Sequence, residues 1–144
     1  MTFVTEVLKA KGRDIWTVSS DSSVYDALQE MADKNVGALL VVEGDKLVGV
    51  FSERDYARKV ILHGKASKDT FVKEIMSTEV FWVSPEQTIT VCMELMTNKR
   101  TRHLAVLDEG RLVGVISIGD VVKAIISEQE FAIQQLEQYI TSGR

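Results

Sequence analysis

Apolar residues along this chain follow two rhythms. Val24, Ala27, Leu28 and Met31 recur at helical spacing, as do Ile89, Cys92, Met93 and Met96, and each set predicts a helix with one buried face. Ala38 to Glu43, Lys46 to Ser52, His103 to Asp108 and Arg111 to Ser117 are instead almost continuously apolar, a pattern for strands covered on both faces. Gly44-Asp45 and Glu109-Gly110 separate them as turns, which gives two hairpins. Short extended pieces, Ile15 to Val18 and Phe81 to Val83, lead into the helices, with Ser23 and Thr88 in N-cap positions and Asp26 in a first turn.

A second helix follows each hairpin, from about Glu53 to Leu62 and from about Ile118 onward. The later one carries Val122, Ile125, Ile126, Phe131, Ile133, Leu136, Tyr139 and Ile140. A stripe of that length needs a cover, and some burial against a second subunit is the favoured expectation. Phe3, Val4, Val7 and Leu8 predict a small helix beside it. His63 to Thr70 has little periodicity and reads as a linker, followed by a short lead-in from Phe71 to Ser77.

The two sets of elements are copies. At a shift of 65 residues Val18 falls on Val83, Ser19 on Ser84, Met31 on Met96 and Leu39 on Leu104. Leu47, Val48, Gly49 and Val50 then fall on Leu112, Val113, Gly114 and Val115, followed by Ser52 on Ser117 and Asp55 on Asp120. No gap is needed, so the chain reads as one supersecondary unit used twice.

Composition narrows the class. With 144 residues, 45% hydrophobic and 26% charged, the chain can bury a core without disulfides or metals. Cys92 has no partner in the sequence, and no basic-then-apolar leader opens it, so a reducing, cytoplasmic setting is expected. No apolar run approaches the roughly 18 residues of a membrane span. A net charge of −4 and a pI near 5.2 argue against a general nucleic-acid binder. Two basic clusters remain, Arg54, Arg58 and Lys59, and Lys99, Arg100, Arg102 and His103. Neither histidine has a metal-ligand partner at useful spacing, Cys92 lies on an apolar helix face as an inert thiol would, and phosphate-loop signatures are missing.

Candidate chemistry therefore falls to the most faithfully repeated string, GVFSERD (Gly49 to Asp55) and GVISIGD (Gly114 to Asp120). Each is a strand ending in Ser that turns into a helix, with Asp three positions on. Such a turn is a capping box. It also offers an anion the free N–H groups of a helix start and a serine hydroxyl, while the aspartate can accept from both hydroxyls of a ribose. Two such turns, each with an arginine nearby (Arg54; Arg102), tip the reading toward nucleotide recognition.

The repeated lead strand, helix, apolar hairpin and G-h-h-S-x-x-D resemble a tandem pair of CBS (cystathionine-beta-synthase) domains, a Bateman module. Within that family the chain is similar to small stand-alone proteins, through SERDYARKV (Ser52 to Val60), RTRHLAV (Arg100 to Val106) and ISIGDVVKAII (Ile116 to Ile126). The resemblance implies an α+β fold of two β-α-β-β-α repeats packed with pseudo-twofold symmetry. Residues 1–65 would form the first with its N-terminal helix, and 66–144 the second with a long C-terminal helix. It further implies that Asp55 and Asp120 hold ribose hydroxyls, and that Ser52, Arg54, Ser117, Gly119, Arg100, Arg102 and His103 serve phosphate. Adenine would lie against Ile15, Thr17, Val18, Gly37, Ala38 and Leu39 in one site, and against Phe81, Val83, Leu104 and Ile118 in the other. Trp16 and Trp82 flank these walls, where packing in the core is their more ordinary role.

The implied function is a non-catalytic regulatory module that binds AMP, ADP, ATP or NAD(H) and reports energy or redox state to an unidentified partner protein. A homodimer through helices is expected, with no catalytic cofactor, metal, membrane or nucleic acid. Unequal sites are expected too, because the second copy has Arg102 and His103 where the first has Gly37 and Ala38. The rival readings are a dimerisation scaffold in which the turns are only caps, and, ranked below it, a nucleotide-processing enzyme. The enzyme lacks a visible general base or activated nucleophile.

Overall fold

The computed structural model describes residues 1–12 and 14–142 and has two compact units, Ile15–Phe81 and residues 1–14 with the chain from Trp82 onward. Each unit holds a three-stranded sheet. In the first-repeat unit β1 (Thr17–Ser19) runs parallel to β2 (Ala38–Glu43), which pairs antiparallel with β3 (Lys46–Ser52). The second-repeat unit repeats this order with β4 (Trp82–Val83), β5 (His103–Asp108) and β6 (Arg111–Ser117). The four hairpin strands have the bounds that the apolar runs predict.

The helices follow their capping residues. α2 (Val24–Lys34) starts at Ser23, whose Oγ accepts from Asp26 N at 3.1 Å, and α5 (Ile89–Lys99) starts at Thr88, whose Oγ1 accepts from Val91 N at 3.3 Å. Both end on a left-handed residue, Asn35 (φ 55°) and Arg100 (φ 53°). Asparagine suits that conformation, whereas arginine holds it at a cost of about 1 kcal/mol. After β3 the chain makes α3 (Glu53–Tyr56) and a π-helical turn, Ala57–Ile61; after β6 it makes α6 (Ile118–Ser142), 25 residues long. Val24, Ala27, Met31, Leu39, Val41 and Phe51 form the first-repeat core with Val60, Val72 and Ile75.

The unit boundaries differ from the 65/66 division expected from sequence, because the lead segments are exchanged between repeats. α1 (Val4–Lys11) folds with the second-repeat unit: Val4 N donates to Gln87 O, Thr5 N to Pro85 O and Ile89 N to Thr2 O. α4 (Val72–Ile75), the lead-in to the second repeat, makes the matching bonds on the first-repeat unit, from Val72 N to Ser22 O, Lys73 N to Ser20 O and Val24 N to Thr70 O. The linker is part of this arrangement, with Thr70 buried and Ser67 O accepting from Tyr25 N.

The duplicated glycines make room for these segments. A Cβ on Gly114 would lie 2.7 Å from a methyl of Leu8, and one on Gly49 would lie 2.7 Å from Met76 Sδ and 2.8 Å from Ser77 O. Leu8 is fully buried, and burial of a leucine stabilises by roughly 1.5–3 kcal/mol, so α1 is an integral part of the second-repeat unit.

Candidate functional site

In each unit three segments meet at one end of the sheet, because β1 and β4 run parallel to their neighbours while β3 and β6 return. Ala38 pairs with Ser52 and Gly37 O accepts from Glu53 N at 3.0 Å; His103 pairs with Ser117 and Arg102 O accepts from Ile118 N at 2.9 Å. Sheet pairing thus sets Gly37, Ala38, Ser52, Arg54 and Asp55 in one neighbourhood, and Arg102, His103, Ser117, Ile118, Gly119 and Asp120 in the other. Arg100 lies two residues before Arg102, at the end of α5.

Both Ser-x-x-Asp turns are capping boxes. Asp55 N donates to Ser52 Oγ and Ser52 N to Asp55 Oδ2; Asp120 N donates to Ser117 Oγ and Ser117 N to Asp120 Oδ2. Each cap uses one carboxylate oxygen, so capping and ligand binding do not exclude each other. What remains differs. Ser52 spends its hydroxyl proton on Asp55 Oδ2 at 3.0 Å, and Lys59 Nζ lies 3.3 Å from Asp55 Oδ1. Among the described residues Asp120 Oδ1 accepts from none, and the Ser117 side chain, like that of Ser52, helps to hold the carboxylate charged. The second turn also opens the 25-residue α6, while α3 gives way after four residues to a π-helical turn.

Asp120 is further held by Lys11 of α1, whose Nζ lies 2.6 Å from Oδ2 and donates to Val115 O at 2.9 Å. Burial alone would raise the Asp120 pKa; the bonds from Lys11 and from Ser117 overcome it and hold the carboxyl below its ordinary value. At His103 burial is the largest influence and lowers the pKa; Lys11 and Arg102 add to it and Asp120 opposes it. The His103 ring is thus biased toward its neutral form. Burial pushes the Cys92 thiol up to about 11, against a smaller opposing bond from its own backbone, in keeping with an inert side chain.

Two hollows flank the second turn. One, of about 560 Å³, is lined by Arg102, Ile118, Gly119, Val122, Lys123, Ile126 and Ser127. The other, of about 250 Å³, lies between α1 and α6 and includes Lys11, Asp120, Lys123 and Ala124.

Several wall residues take other places. Leu39, Val83 and Leu104 are buried in the cores of their units, because the middle of each strand is covered on both faces, so only their backbone is open to a ligand. Phe81 is half-buried and directly precedes β4. Trp16 packs on the first core with Lys34 Nζ 4.6 Å from its ring centre, whereas Trp82 is 54% exposed, against the core role expected for it. Ile15 and Val18 are half-buried, and Thr17 and Gly37 are exposed. Lys11 was absent from the sequence-derived site, since no local pattern joins residues 109 positions apart.

Together these features define two copies of one module, each presenting a capped polar turn at the end of a small mixed sheet. The CBS-domain family model matches residues 5–62 and again 72–127, and the chain belongs to that family. A mitochondrial CBS domain-containing protein of Arabidopsis thaliana is 41% identical over 99% of this chain and 73% of its own length. The solved structure of a signal-transduction protein with CBS domains from Burkholderia ambifaria is 53% identical, with a TM-score of 0.85 over 89% of this chain and 96% of that one. A CBS domain protein of Pyrobaculum aerophilum, solved with AMP, shares the fold at 24% identity, with a TM-score of 0.73 over 82% of this chain and 88% of that one. No helix among the described residues is long and apolar enough to cross a membrane.

Proposed function

We propose that this protein is a non-catalytic regulatory module that binds an adenine nucleotide at its two Ser-x-x-Asp turns, the second more tightly, and transmits occupancy to a partner protein. The observation that carries the proposal is the second turn: a capped aspartate whose Oδ1 accepts from none among the described residues, beside Ser117 and the exposed Arg102. Asp120 Oδ1 accepts from ribose hydroxyls, and Ser117 with the exposed Arg102 and the Gly119 backbone faces phosphate. Asp55, Ser52 and Arg54 do the same in the first turn once the ligand has displaced Lys59, a half-exposed and weakly held partner. AMP in the Pyrobaculum relative supports the ligand class. A nucleotide regulates only if it binds one arrangement of the module better than another.

The test is calorimetry with AMP, ADP, ATP, NAD(H) and S-adenosylmethionine on the wild type and on the Asp55→Asn/Asp120→Asn double variant. Asparagine keeps one oxygen for the cap and sets an NH₂ donor where the ribose hydroxyl must donate. Binding in the wild type and its loss in the double variant are expected. No binding of any of the five to the wild type would leave the turns as caps and favour the scaffold reading.

Self-association through α6 belongs to the same proposal. Its last two turns leave Leu136, Tyr139 and Ile140 more than 60% exposed, an apolar stripe that a second copy covers. Sedimentation should give a dimer for the wild type and a monomer for Leu136→Lys/Ile140→Lys; a wild-type monomer at micromolar concentration overturns this part.

A further inference from the structure

Each turn aspartate has one lysine, but the two lysines come from different places. In the first-repeat unit it is Lys59, four residues along the same helix, whose Nζ also donates to Ile75 O at 3.1 Å. At the 65-residue shift Lys59 falls on Ala124, which carries no charge and lines the hollow between α1 and α6. The charge is restored there by Lys11, which reaches Asp120 Oδ2 from α1 and anchors on Val115 O. With these two bonds formed, the ammonium has a third proton to offer.

We infer, resting on the nucleotide reading above, that Lys11 is a specificity-determining residue of the second site: it biases that site toward more highly phosphorylated adenosine ligands, and it does so only while α1 is docked. Without Lys11 the site would present Asp120 as an uncompensated carboxylate to an incoming polyphosphate. With it, the pair is neutral overall, and among the other residues lining the two hollows Arg102 and Lys123 outnumber Glu6. A neutral adenosine gains little from this balance, whereas ATP gains with each added charge. The first site has its lysine built into its own helix, so its preference is independent of α1. By linkage, a ligand that gains from Lys11 also tightens α1 on the second-repeat unit.

The experiment measures adenosine, AMP and ATP by calorimetry in an Asp55→Asn background, which silences the first site. The ratio of ATP to adenosine affinity should fall roughly fivefold in Lys11→Gln, the effect of removing one unit charge beside the ribose carboxylate from the field that a polyphosphate meets. Lys11→Arg, which keeps the charge on α1, should keep the ratio. A merely structural role for Lys11 would weaken all three ligands alike and leave the ratio unmoved, and that result overturns the inference while sparing the nucleotide reading. Binding of none of the three in the background with Lys11 intact overturns the second-site reading and this inference with it.

Discussion

The two repeats share a fold, a register and a capping box, yet their turns are chemically unlike. Around Asp55 the polar groups satisfy one another: the Ser52 hydroxyl closes on the carboxylate and Lys59 takes its other oxygen. Around Asp120 the same backbone leaves Oδ1 without a partner among the described residues and brings the lysine from α1. Duplication preserved the scaffold, and substitutions at a few matched positions, such as Lys59 and Ala124 or Ala38 and His103, changed what the scaffold offers a ligand.

The exchanged lead segments offer a large and direct way to break the comparison. Gly49→Ala drives a methyl into Ser77 O, which is backbone and cannot rotate away, so it should destabilise by about 2–3 kcal/mol. Gly114→Ala meets the methyl groups of Leu8, which can shift, and should cost less, about 1–2 kcal/mol. Urea unfolding of the two variants measures both. Equal costs would mean that the two lead segments are held alike.

Acid titration probes a smaller asymmetry, confined to the second turn. His103 has a folded pKa below its ordinary 6.5, so as pH falls below about 6.5 the unfolded chain takes the proton first and stability declines. Asp120 has a folded pKa below its ordinary 3.8, so its contribution is full above that value and is lost as pH falls through the folded pKa. Stability against pH should therefore fall in two stages. His103→Ala, which gives the second repeat the residue of the first, should remove the earlier stage alone; an unchanged profile would contradict the burial assigned to His103.

Most of the fold was legible because its signals are local. The hairpins follow from apolar runs broken by turn pairs, and α2 and α5 from helical spacing behind Ser23 and Thr88. The helix of Val4 and Leu8 was expected beside α6, but the docking of Val72 and Ile75 on the first-repeat unit was not legible, because which of two similar surfaces they choose is a tertiary matter with no local mark. Leu39, Val83 and Leu104 have their side chains in the core, which leaves their backbone as the part that could meet a base. The turn aspartates were visible through repetition. Lys11, which completes the second, was invisible because its partner lies on the far side of both hairpins in sequence.

The claim that the turns receive a nucleotide, and receive it unequally, is tested most directly by titrating AMP into Asp120→Asn and Asp55→Asn separately. The account predicts two sites of different affinity in the wild type, with the tighter one lost in Asp120→Asn and retained in Asp55→Asn. Two unaltered sites in both variants would contradict it.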